Sequence, residues 1–196
     1  MNSKIKLAKT AGFSFGVNRA IELVENLLNE GKKVCTLGPI IHNPQMVDSL
    51  SKRGVVIADT IDEVPSGYTV VIRSHGVDKE TYEKIKTRDL EVCDATCPFV
   101  FKIHKIVEKN SDENTPVFIA GDEKHAEVIG IKGFAKGKVY CFKNEEELSE
   151  ILKKCKNIEN NTPIVVSQTT FNAKKWCNFK NIIKIVFTNT IFFDSI

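Results

Sequence analysis

The feature that most constrains the fold is a regular alternation of short β-branched runs with segments of helical periodicity along the 196-residue chain. Continuous apolar runs such as Val34–Leu37 are typical of strands that are buried on both faces. The helical segment after each run supplies the crossover that two parallel strands need. The alternation therefore predicts an α/β fold with mostly parallel sheets.

The predicted elements follow one another with short connections. The strands are predicted at Ile5–Leu7, Val34–Leu37, Val55–Ile57, Tyr68–Ile72, Leu90–Asp94, Pro116–Ala120, Lys138–Phe142 and Pro163–Val166. The helices are predicted at Gly16–Asn29, Pro44–Lys52, Lys79–Lys86, Pro98–Lys109, Ala126–Phe134, Glu145–Lys154 and Ala173–Ile183. The polar run Asn157–Thr162 is predicted to be a turn. The final segment, KIVFTNTIFFDSI, is apolar and β-prone, and we expect it to leave an exposed sheet edge.

A seam between Asp94 and Pro98 divides the chain into two blocks with similar length and a similar rhythm of strands and helices. A chain of this length is sufficient for two small hydrophobic cores. We therefore predict two similar small α/β domains, an N-terminal domain at 1–94 and a second domain at 95–196.

Composition excludes several classes of protein. A net charge of +3 is too small to indicate a nucleic-acid partner. No stretch reaches the roughly 18 apolar residues of a membrane span, and the N-terminus lacks the pattern of a secretory signal. The six cysteines are scattered, which favours reduced thiols and a cytoplasmic protein. Those in predicted strands or helices are expected to be small buried groups: Cys35, Cys93, Cys141, Cys155 and Cys177.

Polar side chains follow the predicted strands, where open α/β sheets bind their ligands. Ser14 lies in the loop after the first predicted strand. The other candidates, in chain order, are His42, Ser74, His75, Thr96, Cys97, His125, Glu127, Gln168, Thr169 and Thr170. Any single loop histidine is more often a solvated or capping residue, but strand ends that all carry polar or ligating groups favour a shared site. His104 instead lies within a predicted helix, and we expect it to be a helix-face residue.

These residue types indicate a ligand that is rich in oxygen. Imidazoles, hydroxyls and an amide suit an anion such as a diphosphate, and Glu127 can supply a proton. The Cys97 thiolate suits iron. The sequence has neither a GxxxxGK[ST] loop nor a GxGxxG fingerprint, so ATP and NAD are not expected. A zinc or redox site at Cys93 and Cys97 is a weaker alternative because a second ligand pair is missing.

Six segments, in the same order along the chain, resemble the 4-hydroxy-3-methylbut-2-enyl diphosphate reductase family of the non-mevalonate isoprenoid pathway. They are AGFSFGVNRAI, LGPIIHNPQMVDSL, VVIRSHGV, DATCPFV, GDEKHAEVIGI and SQTTF. The resemblance implies an oxidoreductase of three α/β domains around a central [4Fe–4S] cluster. Electrons from ferredoxin or flavodoxin would convert the substrate to isopentenyl and dimethylallyl diphosphate.

By the same resemblance, individual residues receive roles. Cys97 matches the second cluster cysteine, Glu127 the proton donor and Thr169 a hydroxyl of the proton relay. The residues that match the family's diphosphate ligands are His42, His75 and His125.

The chain departs from the family pattern at two places. Ser14 stands in the place of the first cluster cysteine, so by position it is a candidate metal ligand together with Cys97, although an alkoxide is a hard ligand where iron–sulfur clusters use thiolates. The third cysteine and the third domain would follow Ile196, the last residue of this chain. We therefore expect an incomplete or impaired reductase. The alternative is a cluster-free fragment that only binds diphosphate.

Overall fold

The computed structural model describes residues 12–155, 162–187 and 189–194. The helices are α1 Phe15–Asn29, α2 Pro44–Lys52, α3 Lys79–Thr87, α4 Pro98–Asn110, α5 Ala126–Lys132, α6 Glu145–Lys154 and α7 Ala173–Val186. The strands are β1 Val34–Leu37, β2 Val56–Ala58, β3 Thr69–Ile72, β4 Val92–Asp94, β5 Val117–Ala120, β6 Val139–Phe142, β7 Ile164–Ser167 and β8 Ile191–Phe192. The predicted strand Ile5–Leu7 and the predicted turn, apart from Thr162, lie outside the described residues.

The strands form two separate parallel sheets with the same internal order. The first sheet has the order β2-β1-β3-β4 and the second the order β6-β5-β7-β8. In the first, Cys35 pairs with both Val56 and Val70; in the second, Phe118 pairs with both Tyr140 and Val165. The predicted α/β class, with two similar parallel units, is confirmed.

Local sequence determines where several helices begin. The helices α2, α3, α6 and α7 each start after a polar residue whose side chain accepts a hydrogen bond from the backbone N–H three residues later. These capping residues are Asn43, Asp78, Asn144 and Asn172. Because each cap satisfies an N–H that has no partner inside the helix, it fixes the first helical residue.

The two sheets are packed with different residue types. The core around the first sheet is aliphatic, with β1 and β3 buried along their whole length. The core on one face of the second sheet is aromatic and contains Phe118, Phe142, Trp176, Phe179 and Phe187. On the other face of that sheet, α4 and α5 pack through Ile103, Val107, Val128 and Ile131.

Several sequence predictions were wrong in detail. The helix α5 ends at Lys132, and Phe134 turns back into the core instead of continuing the helix. The segment from Lys184 was predicted to be β-prone, but its first three residues extend α7 because the flanking Ile183 and Phe187 are buried in the aromatic core. The strand β8 then pairs with β7. Of the five cysteines predicted to be buried, Cys35 and Cys155 are buried, Cys93 and Cys141 are only partly buried, and Cys177 is exposed.

Two further observations concern the thiols and the length of the helices. The six cysteines are free thiols, in agreement with the expectation of a reduced protein. Among the described residues, no helix combines the length and apolar character that crossing a membrane would require.

Candidate functional site

The site lies where the strand order reverses in each sheet. In the first sheet β2 lies on one side of β1 and β3 lies on the other. The connection from β1 to β2 and the connection from β3 to β4 therefore run in opposite directions. The same reversal occurs between β5 and β7. Such reversals leave a crevice at the carboxyl ends of the strands. The loops after these four strands carry His42, His75, His125 and Thr169, and Glu127 lies in the first turn of α5.

Three histidines from both sheets meet in one cluster, which we call the histidine cluster: His42, His75 and His125. The ring centroids of His42 and His75 are 4.4 Å apart. Those of His125 lie 5.5 Å from His42 and 5.4 Å from His75. His42 is exposed and the other two rings are partly buried. The structure thus brings together the three residues that the sequence placed at separate strand ends.

The imidazoles of His75 and His125 favour the neutral form. Burial lowers the pKa of His75 to about 3, with further lowering by the neighbouring His42 and His125. Burial also lowers the pKa of His125, again helped by His42. The His125 Nδ1 accepts a hydrogen bond from the Glu127 backbone N–H at 3.2 Å. A neutral imidazole that accepts at Nδ1 carries its proton on Nε2, so His125 offers an N–H donor to a ligand.

The buried Glu127 pairs with the partly buried Thr169 between the ends of β5 and β7. One oxygen of the Glu127 carboxylate accepts a hydrogen bond from the Thr169 backbone N–H (2.7 Å), and the other accepts one from the Thr169 hydroxyl (2.8 Å). Only 2% of Glu127 is exposed. Burial raises the pKa of this carboxyl, while the two hydrogen bonds oppose the shift. Glu127 is therefore poised to hold or release a proton next to His125.

Ser14 and Cys97 lie at the beginnings of two helices that meet. Ser14 precedes α1, Cys97 precedes α4, and a Cβ added to Gly16 would be 2.5 Å from the Cys97 Sγ. Arg19 on α1 donates to the carbonyls of Asp94 and Thr96, both at 3.2 Å, and so holds the Cys97 loop against α1. The serine hydroxyl and the thiol thus share one region of the molecule.

The residues in this region do not fit a [4Fe–4S] cluster. At the meeting point of α1 and α4 the structure offers the Cys97 thiol and the exposed Ser14 hydroxyl. Iron–sulfur clusters are held by several thiolates, and a hydroxyl near its ordinary acidity does not replace one. The sequence prediction that Ser14 is a metal ligand gains no support from its chemistry.

The histidine cluster also suits an anion better than a metal ion. Its three candidate ligand atoms all lie within 4.8 Å of one another, so a single ligand can contact all three imidazoles. In addition, the Glu127 N–H keeps the His125 lone pair at Nδ1 occupied. An N–H that points outward is a donor for phosphate oxygens and cannot ligate a metal.

Two residues of the loop after β3 support the cluster: Arg73, which sequence reasoning missed, and Ser74, which was a predicted candidate. The Arg73 Nη1 lies 2.5 Å from the position of a Cβ on Gly38, which has φ +70°, so only glycine leaves room for the guanidinium. The Ser74 hydroxyl donates to the Ile40 carbonyl at 3.2 Å and joins the loops of His42 and His75. A glycine directly after a buried strand is the one signal in the sequence that indicates this close approach.

Comparison with known proteins identifies the family. A family model described as "LytB protein" matches residues 5–196. The chain belongs to the LytB family. Two relatives, from Thermoanaerobacter sp. (strain X514) and Campylobacter hominis, are both named 4-hydroxy-3-methylbut-2-enyl diphosphate reductase. They are 39% and 41% identical over 98% and 95% of this chain.

Solved structures of the LytB family resemble this chain as well. A structure of (E)-4-hydroxy-3-methyl-but-2-enyl diphosphate reductase, the terminal enzyme of the non-mevalonate pathway, matches with a TM-score of 0.78 and 36% identity over 98% of this chain. The Plasmodium falciparum reductase structure matches with a TM-score of 0.85 and 28% identity over 95% of the chain. This chain spans 66% of the Thermoanaerobacter relative and 64% of the Campylobacter relative.

Proposed function

We propose that this chain carries the diphosphate-binding and proton-donating part of a 4-hydroxy-3-methylbut-2-enyl diphosphate reductase. The observation that carries the proposal is the convergence of His42, His75 and His125 beside the hydrogen-bonded Glu127–Thr169 pair. The LytB family match and the names of the relatives support the same substrate class.

The roles follow from the chemistry of the site. The three imidazoles hold the diphosphate, and His125 contributes the Nε2–H that its cap to Glu127 leaves available. Glu127, whose pKa is raised by burial, gives a proton to the substrate, and the Thr169 hydroxyl relays it. In the overall reaction two electrons and two protons break the C–O bond, form a C–H bond and release the hydroxyl as water.

The electron-transfer part of the reaction is proposed on the resemblance alone. It includes a [4Fe–4S] cluster, ferredoxin or flavodoxin as donor, and isopentenyl and dimethylallyl diphosphate as products. Cys97 is the thiol in the expected place, but Ser14 lacks the chemistry of a cluster ligand. We therefore propose that this chain is impaired in turnover by itself. The domain boundary between 94 and 95 and the cytoplasmic location stay predictions.

A second candidate function is a cluster-free module that only binds diphosphate. It is favoured by the hydroxyl at position 14, since the loss of a thiol there leaves the histidine cluster untouched. Under this proposal the chain binds a diphosphate through the three imidazoles and transfers no electrons.

Two experiments test these functions. Titration calorimetry with 4-hydroxy-3-methylbut-2-enyl diphosphate should show binding, and the absence of binding would overturn both candidates. Anaerobic reconstitution with iron and sulfide should leave little iron on the chain, and Ser14→Cys should retain more, with Ser149→Cys, at an exposed position of α6, as a control for an added thiol. A stable cluster with full turnover in the unmodified chain would contradict the proposed impairment.

A further inference from the structure

The buried His104 has no role in the proposed reaction. It lies on α4 with none of its surface exposed, and neither ring nitrogen has a hydrogen-bond partner among the described residues. Sequence periodicity predicted only a helix-face residue. A buried polar ring without partners is unusual in a protein and calls for a reason.

The ring of His104 is enclosed by glycines from both halves of the chain. A Cβ on Gly76, after β3, would lie 2.7 Å from the His104 Cε1, and one on Gly130, within α5, would lie 3.1 Å from its Nε2. Phe134 stacks on the ring at 4.5 Å between centroids, with 19° between the planes. The imidazole thus lies between the β3–α3 loop and α5, with no room for a side chain on Gly76 and little room for one on Gly130.

Both elements that touch this ring carry histidines of the cluster. Gly76 directly follows His75, and α5 begins directly after His125. A Cβ on Gly130 would also lie 3.6 Å from the His75 carbonyl oxygen, so the two elements approach closely at this point. The His104 ring therefore contacts both the loop that carries His75 and the helix that follows His125.

We propose that His104 is a positioning residue for the histidine cluster, which it holds together without touching the ligand. The affinity part of the test rests on the proposed function. The arrangement of the three rings can be followed with no ligand present and does not depend on it. Removal of the His104 ring lets the β3–α3 loop and α5 shift against each other, and the three imidazoles no longer present their nitrogens to one anion.

The test compares two truncations on the same helix. His104→Ala removes the ring, and Ile103→Ala is the matched control because Ile103 is equally buried but packs into the core of the second sheet. We expect His104→Ala to lower the affinity for pyrophosphate at least tenfold and to move the ring ¹⁵N signals of His42, His75 and His125 in NMR spectra. Ile103→Ala should keep the affinity within twofold and leave these signals in place.

A third variant keeps the test decisive if His104→Ala does not fold. Gly130→Ala adds a methyl group 3.1 Å from the His104 Nε2, and we expect it to shift the His75 and His125 signals. Equal effects of His104→Ala and Ile103→Ala, or unchanged cluster signals in both His104→Ala and Gly130→Ala, would overturn the proposal. If the unmodified chain fails to bind pyrophosphate, the proposed function is wrong, and the ring signals alone decide the role of His104.

Discussion

At the carboxyl edge of the first sheet, β1 and β3 lead into His42 and His75, whereas at the same edge of the second sheet β5 and β7 lead into His125, Glu127 and Thr169. The strand order is the same in both sheets, so the backbone places loops at equivalent positions. The first edge contributes hydrogen-bonding imidazoles to the site. The second contributes one imidazole and a buried carboxyl with its hydroxyl partner.

Under the proposed function, this difference divides one reaction between two edges with the same strand order. We propose that the first edge, together with His125, binds the anion and that the second edge transfers the proton. The division has a physical basis, since burial next to other imidazoles favours uncharged histidines, while burial of Glu127 favours its protonated form.

The largest predicted effect is a loss of stability in acid that comes from the first edge. The pKa of His75 is about 3 in the folded chain and about 6.5 when unfolded. Below pH 6.5 the unfolded chain binds more protons, so the free energy of unfolding falls by on the order of 3 kcal/mol between pH 6.5 and pH 4. Urea unfolding at both pH values should show this loss, and His75→Asn should reduce it. The pKa of His104 is also lowered, to about 4. Its contribution to the pH dependence of unfolding is the same in the unmodified chain and in His75→Asn.

The next effect tests the division directly by ligand affinity. His75→Ala should weaken pyrophosphate binding by about 10- to 100-fold, because a hydrogen bond to a charged group contributes about 1.5–3 kcal/mol. Glu127→Gln should change this affinity by less than about threefold, since a residue that transfers a proton does not hold the anion. Calorimetry measures both. A loss with Glu127→Gln as large as that with His75→Ala would show that the division is wrong.

A smaller effect compares two equivalent helix caps. Asn43 caps α2 after β1, and His125 caps α5 after β5. Asn43→Ala should lower the free energy of unfolding by about 1 kcal/mol and leave pyrophosphate affinity unchanged. His125→Ala should lower both the free energy of unfolding and the affinity, because under the proposed function this residue caps α5 and also binds the anion. Equal losses of pyrophosphate affinity in Asn43→Ala and His125→Ala would contradict this difference between the two caps.

The smallest effect has the opposite sign of pH dependence and comes from the second edge. Burial raises the pKa of Glu127 above its ordinary value, so above that value the folded chain binds more protons than the unfolded chain. Stability from this group is therefore present at low pH and is lost as the pH rises through the folded pKa. Glu127→Gln should flatten that part of the plot of unfolding free energy against pH, which urea unfolding at several pH values measures. An unchanged plot would mean that Glu127 stays ionised.

Most of the fold and the three members of the histidine cluster could be predicted from the sequence. Apolar runs and polar caps such as Asn43 mark strands and helix starts through local physics, which is why α2 and α6 match their predicted bounds. The end of α7 was mispredicted because the burial of Phe187 depends on the aromatic core, which is distant in sequence. His104 was not identified for a similar reason, since periodicity reports a helix face but not which other element covers it.

The central claim is that loops from both sheets form one anion site. The most direct measurement follows the ring ¹⁵N signals of all four histidines while pyrophosphate is added to the unmodified chain. We predict that the signals of His42, His75 and His125 shift together with a single dissociation constant, while those of the buried His104 shift least. Signals that move with different constants, or that move for one histidine alone, would contradict the claim.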